Sequence, residues 1–189
     1  MDQPSDFGGL FSSRRIVVVG ANGAGKTWLA TRLATVLDLT LVHHDALALT
    51  TQWVRRPEAQ VQAAREQVAA KAAWIIEGGP LVLKSDGILN RADVIIWLDL
   101  PRHVRVWRIF HRTLRYLGRQ RPEHPPGNRE WPGTRQMRFL VKAWRSDAEV
   151  RSMIVQRLPC SRARVIRLKA PQDVRDLVTL LEDRAYALS

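Results

Sequence analysis

A glycine-rich segment near the start of the chain carries the residues best suited to bind phosphate. Residues 20–27 read GANGAGKT and match the pattern G-x-x-x-x-G-K-[ST] at every specified position. Glycines permit positive φ angles and a close backbone approach, so that backbone N–H groups can surround a phosphate chain. In this pattern Lys26 contacts the β- and γ-phosphates, and the hydroxyl of Thr27 holds Mg²⁺. The predicted nucleotide site comprises Gly20, Ala21, Asn22, Gly23, Ala24, Gly25, Lys26 and Thr27.

Two acidic residues follow predicted strands and are candidates for chemistry at the bound phosphates. Asp45 lies just past the second strand, and Glu77 ends the third. Both belong to the carboxyl edge of the sheet, where open α/β sheets bind ligands. Asp45 would take the proton of a hydroxyl that receives a phosphoryl group, or else cap a helix or turn. Glu77 would hold Mg²⁺ together with Thr27, or else be a polar strand end. Gly78 and Gly79 would open the backbone to the acceptor, or form a plain tight turn.

Positive charge is concentrated in one segment of the chain. The net charge is +12, and residues 102–167 hold 16 arginines and one lysine against four acidic residues. Such a cluster predicts a polyanionic partner, which could be nucleotide phosphates, nucleic acid or an acidic membrane surface. Arginine favours bidentate recognition of phosphate. The alternative interpretation is a solvated, arginine-rich surface.

A proline-rich stretch inside this basic segment predicts a loop or lid. Residues 118–133 contain four prolines, and the predicted lid insertion covers about residues 112–136. Phosphoryl transfer spreads negative charge over the equatorial oxygens of the transferred group, and arginines that close over it can stabilise that charge. Arg112, Arg119 and Arg121 are the candidates for this role, and surface positions are the alternative.

Alternating strands and helices are expected to position these residues. Short β-branched runs and helical spacing predict five of each. The predicted strands are 15–19, 39–42, 74–77, 94–98 and 163–168, and the predicted helices are 27–37, 57–73, 102–117, 134–158 and 171–187. This alternation predicts a three-layer α/β fold with a parallel sheet and helices on both faces. Residues 90–93 are interpreted as a loop, and Trp97, Trp107 and Trp144 as core residues.

Composition is typical of one globular domain. The chain has 189 residues, of which 46% are apolar and 25% charged. Residues 1–13 are expected to form a flexible tail and residues 14–189 the domain. No apolar run is long enough to cross a membrane, and the first residues do not have the pattern of a signal peptide. No internal disulfide is predicted, because Cys160 is the only cysteine. A cytoplasmic location is expected.

Taken together, these motifs resemble the adenylate-kinase-like small P-loop kinases, and most closely the bacterial members labelled DNA topology modulation proteins. The resemblance covers about residues 14–181, through HHDAL, QWVRRP, WIIEGG, NRADVIIWLDLPRHVRVWRIFHRT and GRQRPEHPPGN. It implies a five-stranded P-loop NTPase sheet in the order 2-3-1-4-5, ATP and Mg²⁺, and a mobile lid. It also implies that Lys169 and Pro171 pack against the adenine, and Arg91 is included among the acceptor contacts. The chain departs from the family in reading EGG at 77–79, where members usually read DGN, and RPE at 121–123, where they read RPD.

The expected function is an ATP- and Mg²⁺-dependent kinase, monomeric or homodimeric, without a membrane partner. Its acceptor would be a nucleotide, a nucleoside or another small hydroxylated or phosphorylated molecule. A GTPase is disfavoured because N-K-x-D is absent after a strand. Two alternatives remain open: a nucleic-acid-binding P-loop ATPase that uses residues 102–167, and a nucleotide-binding protein without turnover.

Overall fold

A central parallel sheet organises the molecule. The computed structural model describes residues 7, 9–50, 54–115 and 134–187. The strands are β1 (Arg15–Gly20), β2 (Leu41–His43), β3 (Trp74–Gly78), β4 (Val94–Leu98) and β5 (Arg164–Leu168). They pair in parallel in the order β2-β3-β1-β4-β5, which confirms the predicted sheet.

Helices cover both faces of this sheet in the described part of the chain. They are α1 (Lys26–Leu37), α2 (His44–Ala48), α3 (Glu58–Ala70), α4 (Asp86–Arg91), α5 (Arg102–Arg115), α6 (Thr134–Arg145), α7 (Asp147–Arg157) and α8 (Pro171–Ala187). Alternate residues of β1 divide between two cores. Ile16 and Val18 belong to the cluster that includes residues of α1 and α8, whereas Val17 and Val19 belong to the one that includes residues of α3, α4 and α7. All four are fully buried, as expected for a central strand covered on both faces.

The described helices differ from the predicted ones in three places. The short helices α2 and α4 were not predicted, and residues 90 and 91, interpreted as part of a loop, belong to α4. The helix predicted over 134–158 is two helices, α6 and α7, which meet at Ser146. Helices of five or six residues are too short to display the periodicity on which sequence interpretation depends.

The predicted tail and two of the predicted core tryptophans also require correction. Leu10 lies within the predicted tail, yet its side chain is fully buried in the core. Trp97 is buried, but Trp107 is 62% exposed and Trp144 41% exposed. The buried face of α5 includes Arg105 and Ile109 instead, because that face packs against the loop after β1. None of the helices in the described ranges is both long and apolar enough to cross a lipid bilayer.

Helix α4 begins at a buried serine cap. The Ser85 hydroxyl accepts a hydrogen bond from the Ile88 backbone N–H at 3.2 Å and donates one to Glu66 Oε1 at 2.9 Å. Ser85 is fully buried. The other carboxylate oxygen of Glu66 lies 2.0 Å from where a Cβ on Gly87 would stand, so a side chain there would have to displace the Glu66 carboxylate. These contacts join α4 to α3 on one face of the sheet.

We expect Ser85→Ala to lower the free energy of unfolding by about 1–2 kcal/mol, because it removes a helix cap and one partner of Glu66. The measurement is urea denaturation at neutral pH. Ser152→Ala is the matched control, since Ser152 is exposed on α7, and it should change stability by less than about 0.5 kcal/mol. Equal effects of the two substitutions would contradict the cap.

Candidate phosphate-binding site

The glycine-rich loop connects the carboxyl end of β1 to the start of α1. Gly23 and Gly25 have φ angles of 78° and 94°, which side chains rarely adopt. A Cβ on Gly23 would also stand 2.4 Å from the Arg105 carbonyl oxygen, so the loop lies directly on α5. Gly25 is the residue before Lys26, the first of α1. The loop thus has the backbone shape and the following helix N-terminus that favour anion binding.

Lys26 is brought together with four other predicted site residues. Its Nζ donates a hydrogen bond to the carbonyl oxygen of Ala21 at 3.0 Å. Burial lowers the pKa of Lys26, with a smaller contribution from Arg112, while the carboxylates of Glu77 and Asp45 oppose the shift. Glu77, Asp45 and Arg112 are therefore close enough to act on the charge of this lysine. A bound phosphate would also oppose the lowering of this pKa, because its negative charge favours the charged form of the lysine.

Two arginines of α5 hold the outer side of the same loop and were not among the predicted site residues. Arg105 Nη1 donates to the carbonyl oxygen of Asn22 at 3.1 Å, and Arg108 Nη1 donates to that of Ala24 at 3.0 Å. Burial lowers the pKa of both guanidinium groups, which remain charged at neutral pH. Their three-residue spacing was the available signal, because residues i and i+3 share a helix face.

Glu77 is positioned to share a cation with the loop. It is 5% exposed, and its Oε1 accepts a hydrogen bond from the Thr27 hydroxyl at 3.2 Å. The same oxygen accepts a hydrogen bond from His43 Nδ1 at 3.0 Å. His43, the last residue of β2, was not among the site residues predicted from sequence, although it pairs with Glu77 in the sheet register. A hydroxyl beside a carboxylate is an oxygen donor set of the kind that Mg²⁺ prefers, so these residues fit the ion.

His44 supports the segment that carries Asp45. It is 3% exposed, and its Nε2 accepts hydrogen bonds from Arg65 Nε at 3.1 Å and Nη2 at 3.0 Å. Because arginine only donates, the imidazole must be neutral with its proton on Nδ1. Burial and the neighbouring Arg65 charge lower the pKa of His44 to about 4. Asp45 itself is exposed in the first turn of α2, a place that suits either an acceptor base or a helix-end charge.

The two glycines after Glu77 have different surroundings. A Cβ on Gly78 would lie 2.7 Å from both His44 Cβ and Val82 Cγ2, so this glycine permits α2 to pack against the end of β3. A Cβ on Gly79 would meet nothing within 4 Å. The Gly79 backbone therefore borders open space, which is the property an approaching acceptor needs.

The remaining predicted site residues differ in where the fold places them. Arg91 precedes β4 at the amino edge of the sheet and donates to the Lys71 carbonyl oxygen at 3.5 Å, so the structure separates it from the loop. The Lys169 backbone N–H donates to the Asp173 carboxylate at 2.7 Å, where β5 leads into α8 at Pro171. This junction lies at the same edge as the loop. The predicted lid arginines Arg119 and Arg121 lie outside the described residues.

Part of the charge in residues 102–167 is used inside the molecule. In the described ranges, four arginines of this segment form ion pairs with carboxylates: Arg105, Arg151, Arg157 and Arg167. Asp99, at the end of β4, accepts from both Arg151 and Arg167. The net charge of the segment therefore overstates what is available to an external polyanion.

The parallel order 2-3-1-4-5, with the glycine-rich loop after β1, is the P-loop NTPase fold that the sequence predicts. Two solved shikimate kinases have this fold, each 18% identical to the chain. The enzyme from Acinetobacter baumannii, in complex with shikimate, matches with a TM-score of 0.50 over 93% of this chain and 94% of that one. The enzyme from Bacteroides thetaiotaomicron gives 0.51 over 90% and 97%.

Sequence comparison covers a shorter region. No family model matches the chain. A shikimate kinase from Mesorhizobium japonicum is 33% identical over 86 residues, which are 42% of this chain. The match spans only 41% of the length of that curated relative. The resemblance to adenylate-kinase-like proteins, and to those labelled DNA topology modulation proteins, stays a prediction from the sequence motifs.

We expect the free energy of unfolding to decrease as the pH is lowered below 6.5, because protonating His44 would place a second positive charge beside Arg65. Since folding lowers the pKa of His44 to about 4, the unfolded chain binds more protons between these values, and stability rises with pH there. Relative to His44→Gln, whose amide oxygen can still accept from Arg65, the wild type should lose on the order of 2–3 kcal/mol between pH 7 and pH 4. Urea denaturation of both proteins across this range measures the difference, and a constant difference would contradict a buried neutral histidine.

Proposed function

We propose that the chain is an ATP- and Mg²⁺-dependent kinase that phosphorylates a hydroxyl group of a small acceptor. The observation that supports this most directly is the contact between Thr27 and the buried Glu77, beside Lys26 and a loop shaped for phosphate. These residues combine a phosphate cradle with oxygen donors for a metal ion.

The nucleotide would lie along the loop, with its phosphates on the backbone N–H groups and on the N-terminus of α1. Lys26, which bonds to Ala21 here, would turn to the β- and γ-phosphates. Lys169 and Pro171 would flank the adenine at the same edge of the sheet. Arg112, in the last turn of α5, would lie over the γ-phosphate. Arg119 and Arg121 are proposed for the same task from the sequence.

Thr27 and Glu77 would hold Mg²⁺. When bound, the ion neutralises charge on the phosphate oxygens and helps to orient them for transfer. His43 would keep the Glu77 carboxylate oriented through its Nδ1 hydrogen bond.

Acceptor chemistry is assigned to the end of β2 and the turn after β3. Asp45 would accept the proton of the acceptor hydroxyl while the oxygen of that hydroxyl forms a bond to the γ-phosphorus and the bond to the β,γ-bridging oxygen breaks, releasing ADP. The open backbone at Gly79 would contact the acceptor. The immobile neutral His44 gives α2, and with it Asp45, a fixed place relative to β3.

A small hydroxylated metabolite is the favoured acceptor class. The curated relative and the two solved structures of the same fold are all named shikimate kinases, and shikimate carries hydroxyl groups and a carboxylate. Nucleotide and nucleoside acceptors, which the sequence placed first, gain no support from these comparisons. The internal ion pairs of the basic segment likewise weaken the case for a nucleic-acid-driven ATPase.

The proposal is tested by measuring ADP formation with ATP and Mg²⁺ against a panel of acceptors. The panel contains polyhydroxylated acids, sugars, nucleosides and nucleoside monophosphates, with single-stranded and duplex DNA in parallel. Stimulation by one small hydroxylated compound, together with a phosphorylated product, would support the kinase and name its substrate class. Stimulation by DNA alone, without a phosphorylated acceptor, would overturn it.

We expect Lys26→Ala to lower the rate of phosphoryl transfer by at least about 100-fold, because the substitution removes the cation at the transferred phosphate. The far-UV circular dichroism should not change. Lys142→Ala, on the exposed surface of α6, is the control and should keep full activity. Undiminished transfer by Lys26→Ala would remove the loop from the active site.

We expect Asp45→Asn to lower kcat by about 10²–10⁴-fold, because an amide cannot accept the hydroxyl proton. The affinity for ATP should be nearly unchanged, since Asp45 does not belong to the phosphate loop. The measurements are steady-state kinetics and calorimetric titration with an ATP analogue. Asp38→Asn, at the exposed end of α1, is the matched control. An unchanged kcat would leave Asp45 as a helix-end charge only.

A further inference from the structure

Arg105 is almost completely buried and has all of its polar ends occupied. It is 1% exposed, and its Nε donates to the Leu100 carbonyl oxygen at 3.1 Å. Its Nη1 donates to the Asn22 carbonyl oxygen at 3.1 Å, and its Nη2 donates to the Asp147 carboxylate. One side chain therefore joins the end of β4, the phosphate-binding loop and the first turn of α7.

The contact with Asn22 affects the direction of a phosphate-binding group. The Asn22 carbonyl and the Gly23 N–H belong to the same peptide group, which is planar and trans, so they point in opposite directions. Holding the carbonyl outward, toward Arg105, turns the Gly23 N–H toward the inside of the loop. The φ angle of 78° at Gly23 leaves that residue without the steric limits that a side chain would impose. The orientation must then come from a partner of the peptide group.

Asp147 is the group that makes Arg105 suitable for this task. A buried guanidinium is costly unless a charge and hydrogen bonds compensate it, and the Asp147 carboxylate forms an ion pair with Arg105. Asp147 is 31% exposed at its side chain and begins α7, the second helix after the proline-rich stretch. The neighbouring Asp99 fixes α7 separately, through Arg151.

We infer that Arg105 and Asp147 are positioning residues of the nucleotide site, which hold the peptide group between Asn22 and Gly23 in its phosphate-binding orientation and tie it to α7. Neither touches the reacting atoms. The inference rests on the proposed function only in that the loop binds the phosphates of a nucleotide. It extends the site to a residue more than one hundred positions away in the chain from the loop that it orients.

The test compares binding of a non-hydrolysable ATP analogue, in the presence of Mg²⁺, to the wild type and to Asp147→Asn by calorimetric titration. Asp147→Asn should bind the analogue about tenfold more weakly, because the guanidinium loses its charged partner and its hold on Asn22. Asp147→Glu, which keeps the carboxylate, should restore most of the affinity. Urea denaturation of each variant separates a change in affinity from a change in stability.

Two further variants serve as controls. Glu182→Gln removes a comparable carboxylate from Arg32 on the surface, and it should leave affinity unchanged. Asp99→Asn removes the Arg151 partner that holds α7, together with a carboxylate charge that acts on Arg105 without bonding to it, and it should weaken binding much less than Asp147→Asn.

Three results would overturn the inference. Unchanged affinity in Asp147→Asn, when the wild type binds the analogue, would overturn it alone. Equal weakening by Asp99→Asn would assign the effect to the general docking of α7 and overturn it as well. A wild type that fails to bind the analogue would overturn the proposed function and the positioning role with it.

Discussion

Each peptide group in the loop between β1 and α1 has two polar ends, and phosphate binding uses only the N–H. The carbonyl oxygens must be bonded elsewhere if the loop is to keep its shape. In this protein two arginines of α5 supply such bonds to the carbonyl oxygens of Asn22 and Ala24, and the Ala24 N–H supplies one to the carbonyl oxygen of Ala21. The rest of the structure follows from this requirement. Helix α5 must lie against the loop, and Gly23 must lack a side chain at that contact.

The residues proposed to bind the metal and the acceptor depend on a second constraint, which is the register of the sheet. The pairing of β2, β3 and β1 places His43 beside Glu77 and Glu77 beside the start of α1. The buried, neutral His44 then fixes α2 against β3 through Gly78. Polar groups that would be costly if buried alone are hydrogen-bonded to one another, so the carboxyl edge combines a rigid frame with an exposed carboxylate.

The sheet and the phosphate loop were predictable from sequence because each carries its own local signal. Uninterrupted β-branched runs indicate buried parallel strands, and the loop pattern contains its own spacing. The contacts of His43 and Arg105 were not predictable, because they depend on strand register and on which face of α5 turns inward. The apolar residues of α5 suggested the wrong face: Trp107 is exposed, whereas the charged Arg105 is buried. Short helices such as α4 lack enough turns to reveal a period.

The proline-rich stretch is inserted between two helices that pack against each other, α5 and α6. The helices around it have contacts of their own: α5 is bonded to the loop after β1, and α7, which follows α6, is bonded to Asp99 at the end of β4. The contacts that hold α5 and α7 in place would therefore survive a change in the length or composition of residues 116–133.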